Sequence, residues 1–318
     1  MRNPLPTTLL SISLLAATAH AADTAANKPA PAAPAAAPAP AAPAAAPAPL
    51  MRVTGFATPE GVVFDEANDR YLVSNINGKP TDKDNNGFIA VVSPEGKIVT
   101  EKWIAAGQNG VTLNAPKGMA IDQGVLYVAD IDVVHSFDLK TGAPKGDIEV
   151  KGASFLNDVA ADPSTHKVYV SDSGMKAGKD GFEGTGTDGV WVLEGKKATP
   201  FFAAKDLGRP NGLWVQGKDL YVNFFGSADI AKLDAKKGKL ETTAMPAGGG
   251  DGLFVAADGT VWSSSWGGNA IFKGKLGGTF APAVQNVAAP ADFAMDAKRK
   301  RLVVPRFMDN AVEIYDAK

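Results

Sequence analysis

Residues 252–265, "GLFVAADGTVWSSS", decide the fold. Apolar residues alternate on either side of an Asp-Gly pair, the pattern of two short strands joined by a tight turn. The same plan recurs in "GVVFDEANDRYLVSN" (61–75), "GMAIDQGVLYVAD" (118–130), "DVAADPSTHKVYVSD" (158–172), "GLWVQGKDLYVN" (212–223) and "DFAMDAKRKRLVVP" (292–305). A third alternating segment follows, as in "FIAVVSP" (88–94), "GVWVLEG" (189–195) and "AVEIYDA" (311–317), and no long stretch carries a helical stripe. Marking the residue just before each first strand gives Glu60, Lys117, Asn157, Asn211, Asp251 and Ala291, spaced by 57, 40, 54, 40 and 40 residues. Six units of four strands predict an all-β, six-bladed β-propeller. The last unit lacks an outer strand, and Leu50–Phe56, "LMRVTGF", is expected to supply it. The N-terminal strand then closes the last blade and removes the open edges.

Outside the repeats the chain reads differently. Residues 1–21 carry an early Arg2, a Leu/Ile/Ala-rich run and a small-x-small end at Ala19-His20-Ala21, which predicts a cleaved signal peptide and a periplasmic or secreted protein. The run is too short and too interrupted to read as a membrane span, so the mature protein is expected to have none. Residues 22–49 are almost pure Ala and Pro, a composition that favours extended spacer over packed structure. The propeller is assigned residues 50–318. Cysteine is absent, so no disulfide staples the fold and thiol chemistry is excluded. A net charge of -2 gives no nucleic-acid signal. The basic run Lys298–Arg301 reads as a charged hairpin turn. Oligomeric state is not legible.

In a propeller the start of each innermost strand opens on the central channel at one face, so the six marked residues form a ring. Four of them offer oxygen: Glu60, Asn157, Asn211 and Asp251. Converging carboxylates repel one another unless a cation sits between them. Carboxylate plus amide oxygen suits a hard divalent ion, calcium first, with magnesium, manganese and zinc as alternatives. Taken singly, each Asn-Gly or Asp-Gly is an ordinary turn; the shared register argues for a metal. Asn157 could face substrate instead, Asp158 could orient a ligand or structure its turn, and Lys117 could meet a substrate anion or turn away. The polar ends of second strands (Asn75, Asp130, Asp172 and Asn223) read as hydrogen bonds pinning the rim or as partners that orient the ring ligands. The two long units owe their length to "NGKPTDKDNNG" (77–87) and "SGMKAGKDGFEGTGTDG" (173–189), expected to wall the same mouth. Asp82–Gly87 partly matches a calcium loop but has Ser93 where Glu is required. No G-x-S-x-G or P-loop occurs, and neither His135 nor His166 falls at a ring position.

"PEGVVFD" with Glu60, "FLNDVAADP" with Asn157, "RPNGLWV" with Asn211 and "GGGDGLFVAADGTVWSSSWGG" with Asp251 resemble the SMP-30/gluconolactonase/LRE-like family, over essentially all of residues 52–318. The resemblance implies a metal-dependent lactone hydrolase: Glu60, Asn211 and Asp251 hold one divalent ion, Asn157 faces substrate and approaches the ion, and Asp251 is the candidate base. Sugar-lactone members often carry arginine two residues before the matching asparagine. Here that residue is Phe155. With Trp266, Phe224 and Phe225 it implies a less polar lactone or ester as the small-molecule substrate. A non-enzymatic propeller that binds a ligand or protein at the same mouth and keeps a structural metal is the alternative. A streptogramin-type lyase would need a histidine there.

Overall fold

The computed structural model describes residues 47–179 and 181–317. The signal peptide read at 1–21, and the Ala/Pro stretch up to residue 46, lie outside the described residues. Six four-stranded antiparallel sheets follow one another along the chain, each a meander from an inner strand to an outer one. The inner strands are Pro59–Asp65, Pro116–Asp122, Leu156–Ala161, Pro210–Gln216, Gly250–Val255 and Ala294–Asp296. The sixth sheet takes its outer strand from the other end of the chain, with Met51–Thr54 pairing antiparallel to Ala311–Ile314. The chain is therefore an all-β six-bladed propeller closed by its N-terminal strand. Among the described residues no helix is long and apolar enough to cross a membrane.

Apolar clusters fill the spaces between successive blades. One joins Val62 and Tyr71 of the first blade to Val303, Val312 and Ile314 of the last, so burial as well as pairing holds the closure. The Lys298–Arg301 run forms the expected turn and bridges the same seam. Arg299 reaches both Asp69 of the first blade and Asp296, Lys298 also pairs with Asp69, and Arg301 donates to the Pro94 carbonyl.

A repeated irregularity positions the centre. In the first five blades the inner strand's register slips between its first and fourth residues, as between Pro59 and Val62 or Gly250 and Leu253. Each slip is a β-bulge, which aims a side chain that regular alternation would place elsewhere. The bulged pairs are Glu60-Gly61, Lys117-Gly118, Asn157-Asp158, Asn211-Gly212 and Asp251-Gly252. Bulge N–H groups are accepted by second-strand side chains: Gly61 by Ser74, Asp158 by Ser171, Gly212 by Asn223 and Gly252 by Ser264. Three of these acceptors also donate to the next blade, Ser171 to Asn211 O, Asn223 to Asp251 O and Ser264 to Ala291 O. Ring register is thus set by cross-blade hydrogen bonds.

Candidate functional site

Glu60, Lys117, Asn157, Asn211 and Asp251 arrive from five successive blades at the floor of one cavity of about 260 Å³. Phe155 and Trp266 line its wall with them. Of the residues read from the sequence as facing the mouth, Asp158 and Phe224 do not line it. Asp158 Oδ1 accepts the Val159 N–H and its Oδ2 the Leu213 N–H of the next blade. Phe225 faces the cavity, whereas Phe224 turns into the core of the fourth blade, as strand alternation requires.

The ring residues are buried yet incompletely paired. Among the described residues, Glu60 Oε2, Asn157 Oδ1 and Asp251 Oδ1 are buried oxygens without a hydrogen-bond donor. The Asn157 amide nitrogen donates to Ser173 Oγ at 3.1 Å, and Trp266 Nε1 donates to Asp251 Oδ2 at 2.7 Å. Each contact satisfies one end of its group and leaves an acceptor over. Buried acceptors are normally paired, so three orphans converging from three blades mark a place built for a ligand. Among the described residues no three His, Cys, Asp or Glu side chains form a metal-binding group. The ring draws half of its oxygen donors from amides, and Glu60, Asn157, Asn211 and Asp251 could hold a hard divalent ion.

Electrostatics agree with the geometry. Burial, then the like charge of Asp251, pushes Glu60 well above the usual carboxylate range, against the opposing pull of Lys117. Burial pushes Asp251 up to about 7, with the Trp266 hydrogen bond opposing and the Asp158 charge adding to it. Lys117 is lowered by burial, while Asp130, Glu60 and Asp172 hold it up. Its ammonium donates to Ala115 O at 3.0 Å and lies 4.6 Å from the centre of the Phe155 ring.

A further carboxylate belongs to this set. Asp292 follows Ala291 in the sixth blade at the place that Gly61, Gly118, Gly212 and Gly252 hold in others. It is buried, and burial together with the charges of Asp158, Glu60 and Asp251 raises it well above the normal range. Counting the residue after each marked position, rather than the marked position alone, would have exposed it.

The rim is pinned much as the sequence suggests. Asn75 Oδ1 accepts Ala57 N–H, Asp130 accepts Asn114 and Ala115 N–H, and Asp172 accepts the Ser154, Phe155 and Gly174 N–H groups. Asn223 is out of this set: it sits one register position earlier and clamps the bulge. Both long excursions reach the mouth. Pro80 comes from the first, and Met175 and Phe182 from a hairpin, Met175–Gly178 with Gly181–Gly184, in the second. In the partial calcium loop, Asn85 and Asn86 make local and inter-blade hydrogen bonds. His135 bonds Asp130 and Asp147 through its two ring nitrogens and does not line the cavity. A second depression of about 240 Å³, at Asp162, Lys218, Asp219 and Lys232, lies away from the ring, and its Lys232 is already paired with Asp219 and Glu241.

No protein-family model matches the sequence, and no curated protein matches it. Solved structures do. A crystal structure of a protein provisionally called a gluconolactonase superposes with a TM-score of 0.61 at 20% identity, over 86% of this chain and 93% of that one. A gluconolactonase from Xanthomonas campestris gives 0.59 at 18% identity, over 83% and 87%. Virginiamycin B lyase from Staphylococcus aureus gives 0.55 at 12% identity, over 83% and 98%. What this chain shares with these proteins is the propeller fold.

Proposed function

We propose that this chain is an exported, metal-dependent hydrolase of a lactone or related ester. The observation that carries the proposal is the convergence of three unpartnered buried oxygens, Glu60 Oε2, Asn157 Oδ1 and Asp251 Oδ1, at the floor of one cavity. Glu60, Asn211, Asp251 and Asn157 would hold one divalent ion, calcium by its preference for such oxygens. When bound, the ion supplies Lewis acidity toward the substrate carbonyl.

The chain's own residues do the rest. The Trp266 indole fixes Asp251 through Oδ2, leaving Oδ1 to take a proton from water as its oxygen attacks the carbonyl carbon. The acyl C–O bond then breaks, and the departing alkoxide recovers that proton from Asp251, so the carboxylate is regenerated. The surrounding apolar wall keeps bulk water from competing for the same hydrogen bonds. Two structures called gluconolactonases, one of them provisionally, share the fold, and that analogy supports this chemistry. The lyase reading finds no support, because His135 is bonded away from the cavity.

The test is Asp251→Ala in the purified mature protein, with metal content and turnover of a lactone and ester panel measured together. Loss of both turnover and tight calcium binding is expected, and hydrolysis that survives unchanged sinks the assignment. A wild-type protein that holds its ion and ignores the whole panel would favour the non-enzymatic binding propeller.

A further inference from the structure

Above the ring the cavity is lined almost without polar groups. Apart from the four oxygen-bearing ring residues and Lys117, every lining residue is apolar or aromatic. Trp266 brings an indole N–H, but that hydrogen is already given to Asp251. Lys117 already donates to Ala115 O and lies over the Phe155 ring. A sugar lactone entering here would lose the water on its hydroxyls and meet few groups able to replace it, which is unfavourable for each hydroxyl.

Aromatic rings supply the wall, and they come from separate elements. Phe155 meets Phe182 edge-on at 5.6 Å, Phe225 meets Trp266 edge-on at 5.5 Å, and Trp266 meets Phe307 at 5.1 Å. Tilted and edge-to-face neighbours leave ring faces and edges for another aromatic group to pack against. Phe182 sits on the hairpin inserted in the third blade, and Phe307 opens a short 3-10 turn, Phe307–Asp309, in the sixth. Neither element is needed to complete a four-stranded blade. Both carry exposed apolar side chains: of the five large hydrophobics exposed among the described residues, Phe182 and Met308 line this mouth. Clustered exposed apolar surface at the rim of a cavity marks a binding site rather than chance.

We propose that the site takes a compact, uncharged aromatic substrate, an aryl-fused lactone or aryl ester, with Phe155, Phe182, Phe225 and Phe307 as its specificity-determining residues. This rests on the hydrolase reading for the reaction and stands independently of it for the ligand. A cavity of about 260 Å³ limits the occupant to one or two fused rings.

The experiment compares 3,4-dihydrocoumarin with glucono-δ-lactone, both six-membered lactones, on the calcium-loaded mature protein. Calorimetry of chroman, the same bicycle without the carbonyl, provides a readout free of catalysis. Preference for dihydrocoumarin by about a hundredfold in kcat/KM is expected. Chroman should bind the wild type, and about tenfold more weakly to Phe225→Ser and to Phe182→Ser. The exposed position of Phe182 guards against a folding defect being mistaken for lost binding. Equal or better turnover of glucono-δ-lactone overturns the proposal, as does absence of chroman binding. Chroman binding that weakens in both variants, with neither lactone hydrolysed, overturns the hydrolase reading and upholds the aromatic ligand class.

Discussion

The indole of Trp266 donates to Asp251 Oδ2 at 2.7 Å and packs between Phe225 and Phe307, so one side chain joins the acidic ring to the aromatic wall. Asp251 is thereby held at one oxygen and left open at the other. The sequence places these residues 15 apart, at the two ends of one hairpin in the fifth blade.

Replacing Trp266 by Phe keeps most of the aromatic packing and removes the donor. Outer hydrogen bonds that orient a ligand typically contribute 10–100-fold to affinity or activity, so calcium affinity is expected to fall by about tenfold or more. Calcium titration followed by calorimetry measures it directly. An affinity equal to the wild type, in a variant of unchanged thermal stability, would show that the indole does not position the carboxylate.

The blades and the ring were legible because period-two patterning and turn residues recur at fixed intervals, and because five of the ring residues hold the same place, the second residue of their inner strand. Glu60, Lys117, Asn157, Asn211 and Asp251 reach one cavity because a bulge in each inner strand turns them there. Asp292 was not legible from the marked positions, since the sixth blade presents a methyl at Ala291 and its carboxylate one residue later. Asn223 was misplaced because turns between first and second strands differ in length, so counting along the chain slips by one residue. The aromatic wall was partly legible. Phe155 and Trp266 adjoin the motifs, whereas Phe182 and Phe307 are brought to the mouth by a hairpin and a 3-10 turn that carry no periodic signal.

Among the described residues Asp292 finds no side-chain hydrogen bond that would offset its burial, and it feels the charges of Asp158, Glu60 and Asp251. A buried carboxylate in that position destabilises the fold. Asp292→Asn is nearly isosteric and removes the charge, so the metal-free protein is expected to gain about 1 kcal/mol and to melt about 3 °C higher. Thermal unfolding in excess chelator reads this out. A lower melting temperature would mean that the ionised carboxylate has a favourable partner in the fold.

His135 offers a pH-dependent test away from the ring. Burial alone would lower it, but the hydrogen bonds it donates to Asp130 and Asp147, with the charges of those carboxylates, outweigh burial and leave it above its ordinary value of 6.5. A histidine raised on folding contributes stability fully present below its unfolded value and lost as pH rises through its folded one. His135→Asn is therefore expected to lose most relative to wild type at about pH 6 and least at about pH 8.5. Urea unfolding at both values checks the trend, and a gap that widens with pH would contradict it. Asp147 is largely exposed, so the pH-sensitive part rests chiefly on the buried contact to Asp130.

The bulges themselves can be tested at Gly212. A Cβ added there would lie 2.0 Å from the carbonyl oxygen of Asp251 and 3.1 Å from both terminal atoms of the Asn223 amide. Backbone cannot yield at that distance without moving the inner strand of the fifth blade. Gly212→Ala should therefore destabilise by about 3 kcal/mol, by overpacking rather than by lost contacts. Gly184, in the inserted hairpin, has nothing within 4 Å of an added Cβ, and Gly184→Ala should stay within about 0.5 kcal/mol of wild type. Urea unfolding of the pair separates a general cost of replacing glycine from a demand specific to the ring. Should Gly212→Ala prove as stable as Gly184→Ala, the blades are not locked at the centre by this approach, and the register of Asn211 against Asp251 must be held by the Asn223 clamp alone.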